Sequence, residues 1–277
     1  MLTIKDHSRD SAGMKYVYPV ISRRAGGVSV GINLNVNNAC NWACVYCQVP
    51  NLTRGGPPPI DLDQLEDELR HFLRDVTTGD FLTKHVPPEA RRLMDVAFSG
   101  NGEPTSAPEF ADAVERVGQV MREFELSDSV KLRLITNGSL IFRPIVRQGI
   151  AALGTQNGEV WFKLDQATEA GMERINGIRL TPEKVRESLL ICAELAPTWV
   201  QTCYFAMDGQ ETDEVGRKAY LELIASVREK IKGVHLYGLA RPSLQAEAAR
   251  LSNLKEGDFL QFARSISSLG IDVVANP

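Results

Sequence analysis

Three of the five cysteines in this 277-residue chain lie within eight residues of one another. Cys40, Cys44 and Cys47 have the spacing C-x3-C-x2-C. Thiolates this close on one loop can converge on a single metal centre, and soft thiolates select zinc, copper(I) or an iron–sulfur cluster. Structural zinc normally has four protein ligands, yet the next histidine after the motif is His71. Three ligands instead suit a four-iron, four-sulfur cubane with one iron open to an exogenous ligand.

Two other interpretations of the cysteine segment remain open. The three cysteines could be buried structural residues, although a free cysteine usually packs as a lone small hydrophobe and not in a cluster on a polar loop. They could also bind zinc together with a distant fourth ligand. The remaining cysteines, Cys192 and Cys203, fall on an apolar helix face and in a strand, so we expect both to pack in the core.

The composition is that of an ordinary soluble globular protein, with 43% hydrophobic and 24% charged residues and a net charge of −4. This charge favours neither nucleic acid nor an anionic membrane as a partner. An odd, clustered set of cysteines is not typical of a secreted disulfide scaffold. Residues 1–13 have no apolar signal core, and no stretch approaches the roughly 20 apolar residues of a membrane helix. We therefore expect a cytoplasmic protein, not bound to a membrane, with reduced or metal-bound thiols.

The apolar pattern alternates along the chain between a strand-like and a helix-like period. Strands are predicted at 27–36, 95–99, 131–138, 159–165, 200–207 and 233–240. Helices are predicted at 62–78, 108–124, 141–153, 181–196, 211–231 and 256–269, and a short apolar run at 271–275 could close the structure. Six strands, each followed by a helix, imply parallel pairing with right-handed crossovers. A barrel or partial barrel and an open doubly wound sheet both satisfy this α/β pattern.

Both architectures place functional residues at the carboxyl ends of the strands, and unusual polar residues occur there. The strip from Ser99 to Thr105, SGNGEPT, follows the second strand, and Thr136 and Asn137 end the third. Gly-Pro and Asn-Gly turns are the simpler explanations of these two segments. Lys163 and Asp165 end the fourth strand, and two charges on one face need partners, which could be each other. Gln201 begins the fifth strand, and Leu239 and Arg241 follow the sixth, where a plain surface arginine is the alternative.

The segment C-x3-C-x-aromatic-C directly after a first strand resembles the radical SAM superfamily. The resemblance covers about residues 28–241, leaving a C-terminal helix and short strand within 242–277. It implies a single domain over residues 1–277 with a partial parallel (β/α)6-type TIM barrel. It also implies two cofactors, a [4Fe-4S] cluster and S-adenosylmethionine (SAM), whose amino and carboxylate groups chelate the open iron. The family's reduced cluster cleaves SAM to methionine and a 5′-deoxyadenosyl radical that abstracts hydrogen from a substrate.

The resemblance also assigns roles to individual residues. The metal ligands are Cys40, Cys44 and Cys47, and the catalytic set comprises these cysteines and Lys163. The strip Gly100, Asn101, Gly102 and Glu103 resembles the family's GGEP motif, which contacts the SAM ammonium. The remaining expected cofactor contacts are Tyr46 with adenine, Thr136 and Asn137 with the ribose or carboxylate, Lys163 with the carboxylate, Asp165 with a ribose hydroxyl, an inward-pointing Gln201, Leu239 with adenine through its backbone, and Arg241 with an anionic group.

The segments FSGNGEPT, LITNGSL and FKLDQATEAGMERINGI most resemble the wyosine-base synthase branch, whose members modify transfer RNA. That branch binds a second cluster through upstream cysteines, and no cysteine precedes Cys40. We therefore expect a relative with an undetermined substrate, which could be RNA, protein or a small molecule. A glycyl-radical-enzyme activase and a non-catalytic iron–sulfur or zinc module are the alternatives. The resemblance implies a flavodoxin- or ferredoxin-type electron donor.

Overall fold

The computed structural model describes residues 2, 13–22 and 25–277, so most of the polar segment 1–13 lies outside the described residues. Within the described residues the α-helices are α1 Leu62–Thr77, α2 Phe81–His85, α3 Phe110–Glu123, α4 Pro144–Gly154, α5 Glu169–Asn176, α6 Pro182–Leu195, α7 Glu214–Val227 and α8 Glu256–Ser267. The strands are β1 Val17–Ser22, β2 Gly27–Ile32, β3 Ala39–Cys40, β4 Thr53–Arg54, β5 Leu93–Phe98, β6 Lys131–Thr136, β7 Gly158–Lys163, β8 Thr198–Cys203, β9 Ala206–Met207, β10 Gly233–Tyr237, β11 Leu251–Ser252 and β12 Val273–Asn276.

Eight strands form one curled half-barrel sheet in the order β1-β2-β5-β6-β7-β8-β10-β12. Every neighbouring pair from β2 to β12 is parallel, which confirms the predicted partial TIM barrel. The six predicted strands are all present, and β12 adds a seventh parallel strand at the predicted apolar run 271–275. Parallel order places all the strand-to-helix loops at one end of the barrel.

The antiparallel strand β1 was not predicted from the sequence. It contains Pro19, and a proline within an apolar run argues against a central strand because it lacks the N–H group that a ladder needs. The structure places β1 at the edge of the sheet, where one side of the strand has no ladder partner among the described residues. Pro19 is tolerated there for that reason.

Local capping explains where two predicted helices begin. The Asp61 side chain accepts a hydrogen bond from Gln64 N at 3.0 Å at the start of α1. Thr181 caps α6 by accepting from Lys184 N at 3.2 Å, and Pro182 occupies the first helical position. Side-chain oxygens at these positions satisfy N–H groups that have no partner within the helix.

Helix α5 was missed by the sequence analysis, and it contacts the cysteine segment. It is only eight residues long, which gives little periodicity to detect. Thr168 caps its start by accepting from Gly171 N at 3.1 Å, and Gly177 ends it with a left-handed φ of +63°. The helix therefore ends abruptly, and its last carbonyl groups remain available to another segment.

All six predicted strands end earlier than predicted, and two of these ends bear on the site. Strand β2 ends at Ile32 and not at residue 36, and β7 ends at Lys163 and not at residue 165. Asp165 therefore lies beyond the strand, and the expectation that it shares a face with Lys163 does not apply. No helix among the described residues is long and apolar enough to cross a membrane.

Candidate active site

A cavity of about 310 Å³ opens at the carboxyl ends of the strands and extends into the half-barrel. All the predicted site residues line it except Thr136 and Asp165. The lining members of the predicted set are Cys40, Cys44, Tyr46, Cys47, Gly100, Asn101, Gly102, Glu103, Asn137, Lys163, Gln201, Leu239 and Arg241. The fold thus brings together residues that are up to 201 positions apart in the chain.

The three clustered cysteines are half-buried free thiols facing this cavity. Trp42 N donates a hydrogen bond to Cys40 Sγ at 3.5 Å, and Asn176 Nδ2 donates to Cys44 Sγ at 3.3 Å. Burial raises the pKa of the Cys40 thiol to about 11 and that of Cys44 to about 12. Both thiols are therefore protonated at neutral pH in the absence of a cation, and metal binding must displace those protons.

The donors on the cysteine loop can be compared with what a zinc ion and an iron–sulfur cluster each require. Among the described residues, no group of three or more His, Cys, Asp or Glu side chains is placed to hold one metal ion. A zinc ion requires its ligands to meet at a single atom. A cubane instead offers a different iron atom to each thiolate, so its ligands lie farther apart. The three half-buried thiols that line one cavity are soft donors, as an iron–sulfur cluster requires.

The glycines after β5 allow this strip to pack directly against the cysteine segment. Gly100 adopts a φ of +134°, and a Cβ atom there would overlap the Asn33 side chain. A Cβ atom on Gly102 would overlap the Ala39 carbonyl oxygen, one residue before Cys40. The two glycines thus allow close approach between protein segments, so the strip and the cysteine loop form one wall of the cavity.

Asn101 lies between these glycines and presents an unused acceptor. Its backbone N–H donates to Asn33 Oδ1 at 3.1 Å and its Nδ2 donates to Asn38 Oδ1 at 2.7 Å. Its own Oδ1 is buried and has no hydrogen-bond partner among the described residues. Buried polar atoms are normally paired, so this oxygen is a candidate acceptor for a ligand donor.

Glu103 is fully enclosed and ties the strip to the end of β6. Its carboxylate accepts from Thr105 N at 3.2 Å, Thr105 Oγ1 at 2.6 Å, Thr136 Oγ1 at 2.6 Å and Asn137 N at 2.7 Å. Burial raises the pKa of Glu103 above its usual value, although these donors oppose the shift. The Thr136 hydroxyl thus holds the Glu103 carboxylate, and its cofactor contact stays a prediction.

Lys163 projects into the cavity from the end of β7. Its Nζ lies 3.3 Å from Tyr237 Oη, 4.0 Å from Asp165 Oδ2 and 4.9 Å from the centroid of the Tyr46 ring. Burial alone would lower the pKa of Lys163, but Asp165 and the neighbouring acidic groups together outweigh it, and the pKa lies above its ordinary value. Lys163 is therefore a charged ammonium group, and it can donate further hydrogen bonds into the cavity.

Asp165 is buried beneath the cavity wall with both oxygens in use. Its Oδ2 accepts from Tyr46 Oη and from Asn176 Nδ2 at 2.7 Å, and its Oδ1 accepts from Cys203 N at 2.9 Å. The side chain is inaccessible to solvent. In this structure Asp165 orients Tyr46 and lies 4.0 Å from Lys163, and its ribose contact stays a prediction.

The last three predicted contact residues, Gln201, Leu239 and Arg241, line the cavity in different ways. Both backbone groups of Leu239 are paired with one side chain, since its N donates to Asn253 Oδ1 at 2.7 Å and its O accepts from Asn253 Nδ2 at 3.0 Å. Leu239 can therefore offer its side chain to adenine but not these backbone groups. Gln201 is only 2% exposed, and Arg241 is half-buried at the cavity rim.

Several residues that hold the cysteine loop were not predicted. Ser243 Oγ donates to Val45 O at 2.7 Å, and Gln245 Nε2 donates to Cys47 O at 3.1 Å. Asn41 Oδ1 accepts from Asn137 Nδ2 at 2.9 Å. These contacts join positions that are far apart in the chain, and no local pattern marks them.

Comparison with known proteins gives distant matches. No protein-family model matches the chain. A UPF0026 protein of Helicobacter pylori is 27% identical over 57% of this chain and 44% of its own length. A UPF0026 protein of Methanocaldococcus jannaschii is 30% identical over 57% of this chain and 42% of its own length. The chain thus spans less than half the length of these curated relatives.

Solved structures give broader coverage at lower identity. Streptococcus suis SuiB bound to its precursor peptide SuiA superposes with a TM-score of 0.61, at 13% identity over 91% of this chain and 49% of that chain. A radical SAM methyltransferase from Sphaerobacter thermophilus gives 0.61, at 14% identity over 94% and 68%. TYW1 with a lysine-pyruvate adduct gives 0.56, at 16% identity over 90% and 74%. The chain therefore has the fold of radical SAM enzymes.

Proposed function

We propose that this protein is a radical SAM enzyme in which the cysteine loop holds a [4Fe-4S] cluster and the adjoining cavity holds SAM. One observation carries the proposal most strongly. The three half-buried thiols and the Gly100–Glu103 strip form a continuous wall of one cavity at the carboxyl end of a half-barrel. A ligand of three thiolates and a neighbouring small molecule can therefore be bound side by side.

Individual residues have the chemistry that each part of SAM requires. Asn101 Oδ1 is a buried acceptor without a partner among the described residues, and it suits the ammonium group. The Lys163 ammonium faces the cavity and suits the carboxylate. The Tyr46 ring and the Leu239 side chain offer apolar surface for adenine, and Arg241 offers a second cation at the rim. When bound, the reduced cluster would supply the electron that splits SAM into methionine and a hydrogen-abstracting 5′-deoxyadenosyl radical.

The protein's own contribution is to fix these groups before any ligand binds. Glu103 fixes the Asn101 strip relative to the end of β6 through Thr136 and Asn137. Asp165 fixes the Tyr46 hydroxyl and is one of the groups that raise the pKa of Lys163. Preorganised groups bind and orient a ligand without a reorganisation cost, so these two buried carboxylates act as positioning residues.

The deeper part of the cavity is the proposed position of the substrate. The cavity extends below the cysteines into the half-barrel, where Ser29, Asp95, Arg133 and Trp161 also line it. We propose that a substrate group binds in this deeper part of the cavity. The solved relatives include a peptide-bound protein and TYW1, so fold similarity supports neither a protein nor an RNA substrate over the other. We propose a flavodoxin- or ferredoxin-type protein as the electron donor.

Anaerobic reconstitution with iron and sulfide tests the proposal. The loaded protein is mixed with dithionite and SAM, and 5′-deoxyadenosine and methionine are measured by chromatography. We expect about four iron atoms per chain, as for a single cubane, and 5′-deoxyadenosine that forms only when both dithionite and SAM are present. Omitting each reagent in turn is the control for SAM breakdown in solution.

The other outcomes separate the alternative functions. Bound iron or zinc without SAM cleavage would support a non-catalytic metal module and overturn the proposal. If SAM is cleaved, deuterium transfer from a labelled substrate into 5′-deoxyadenosine identifies the substrate class. Transfer from a glycine-labelled partner protein would favour the activase alternative, and transfer from labelled RNA would favour base modification.

A further inference from the structure

The carboxyl end of α5 supports the middle of the cysteine loop. Ala43 N donates to Asn176 O at 3.1 Å, and Val45 N donates to Ile175 O at 2.9 Å. These bonds flank Cys44 on both sides. They use carbonyl groups that the last turn of a helix leaves without an intrahelical partner. Helix α5 thus fixes the position of Cys44 independently of any metal.

The Asn176 side chain adds a direct contact to the sulfur. It is 1% exposed, and its Nδ2 donates to Cys44 Sγ at 3.3 Å and to Asp165 Oδ2 at 2.7 Å. The orientation of the amide follows from chemistry, because Asp165 Oδ2 is an acceptor and the NH₂ group is the only donor of the amide side chain. Asp165 is itself held by Cys203 N and the Tyr46 hydroxyl. The donor is therefore fixed against the sulfur by a buried network.

The three cysteines differ in this respect. Cys40 receives a backbone N–H from Trp42 at the longer distance of 3.5 Å. Cys47 Sγ receives no hydrogen bond among the described residues. Cys44 alone, within the part of the chain that the structure describes, has a side-chain amide aimed at its sulfur. A change at Asn176 can therefore alter one ligand sulfur and leave the other two unchanged.

We propose that Asn176 is a positioning residue that raises the reduction potential of the cluster through its hydrogen bond to Cys44 Sγ. The inference rests on the proposed function. Reduction of the bound cluster would take one electron from an external reductant, and no covalent bond would form or break. Reduction adds negative charge that is shared by the ligand sulfurs, so an N–H donor stabilises the reduced state more than the oxidised state. Removing the donor should make reduction harder.

The test compares Asn176→Leu with the wild-type protein after anaerobic reconstitution. The midpoint potential is measured in a redox titration followed by electron paramagnetic resonance, without SAM or substrate. We expect a shift to more negative potential, with about a tenfold lower ratio of reduced to oxidised cluster at a fixed potential, or about 59 mV for one electron. Asn176→Gln keeps an amide donor, so its midpoint potential should shift less than that of Asn176→Leu.

Ser243→Ala is the matched control, because Ser243 holds the same loop through carbonyl groups and touches no sulfur. Its midpoint should equal that of the wild type. Resonance Raman spectra of the wild type in H₂O and D₂O give a second measurement that needs no variant, and an Fe–S stretching mode should shift. An unchanged midpoint in Asn176→Leu, a shift of equal size in Ser243→Ala, or no isotope effect would each overturn this inference. Failure of the wild type to assemble a cluster would overturn the proposed function as well.

Discussion

Two polar regions face the same cavity and differ in how their groups are satisfied. The cysteine end contains half-buried thiols and a buried Asn101 oxygen without a partner among the described residues. Deeper in the half-barrel lies a second region, the ion-pair layer, formed by Asp95, Arg133 and Glu159. Arg133 lies on β6, four residues before Asn137, which lines the cavity just beyond the end of that strand. Four residues of a strand span about 13 Å, which separates the two regions.

The ion-pair layer is nearly self-contained. Arg133 pairs with Asp95 through Nη1 and with Glu159 through Nε at 2.7 Å, and its guanidinium lies 4.5 Å from the Trp161 ring centroid. Trp161 Nε1 also donates to Glu159 at 2.9 Å. Buried charges persist only when paired, and these are paired with each other. The comparison teaches that charge inside the barrel does not by itself indicate a ligand site, whereas a buried acceptor without a partner among the described residues makes a candidate for one.

The largest expected effect comes from removing a thiol at the cysteine end. Cys40→Ser, Cys44→Ser and Cys47→Ser should each lose the cluster and abolish SAM cleavage, because the three thiolates are the whole of the proposed protein ligand set. Iron content and 5′-deoxyadenosine formation measure this. Cys192→Ala removes a buried cysteine on α6, far from the motif in sequence, and should retain both. Equal losses in Cys192→Ala would show that folding and not ligation is being measured.

A substitution in the ion-pair layer should have the opposite profile. Arg133→Met leaves two carboxylates without their cation, and breaking such a pair costs about 3–5 kcal/mol of unfolding free energy. Chemical denaturation measures this loss of stability. The reconstituted variant should keep the absorption spectrum of the cluster. A variant that loses the cluster at unchanged stability would contradict the distinction between the two regions.

The same variant has a pH dependence with a defined sign. Burial raises the pKa of Asp95, and the Arg133 charge opposes that shift. Removing Arg133 should therefore raise the Asp95 pKa further. A carboxyl group that binds its proton more tightly when folded makes the protein less stable as the pH rises above its unfolded pKa. The stability deficit of Arg133→Met should thus be smallest in acid and grow toward neutral pH. A pH-independent deficit would argue against a charge effect.

Lys163→Ala should weaken SAM binding without loss of the cluster. A hydrogen bond to a charged group is worth about 1.5–3 kcal/mol, which corresponds to an affinity loss of roughly 10- to 150-fold. Equilibrium dialysis with labelled SAM measures this on the reconstituted protein. Lys218→Ala, at an exposed position on α7, is the control for a lost surface charge. Unchanged affinity in Lys163→Ala would exclude a carboxylate contact.

The smallest effect is expected at the support beneath the site. Tyr46→Phe removes the hydroxyl that donates to Asp165, while Asn176 and Cys203 N still pair with that carboxylate. Loss of one such bond costs about 1 kcal/mol. For a chain of this size, thermal denaturation should show a decrease of about 2–4 °C. Complete loss of the cluster would mean that Tyr46 acts on the cysteines themselves.

The order of strands and helices could be predicted because it depends on local patterns. The apolar period switches between two and 3.6 residues, and Asp61 and Thr181 mark helix starts through bonds to residues three positions away. Short or atypical elements could not be predicted in this way. Strand β1 contains a proline that only an edge position tolerates, and α5 is too short to show a period.

The sequence by itself determined the chemical identity of the site, because the spacing of Cys40, Cys44 and Cys47 brings three thiols onto one loop whatever surrounds them. The tertiary structure alone decided which neighbouring groups remain available. It used Asp165 as a support, and it brought Asn176 to Cys44 from 132 residues away. A hydrogen bond in the interior depends on which distant segments come into contact, and a local sequence pattern does not encode that contact.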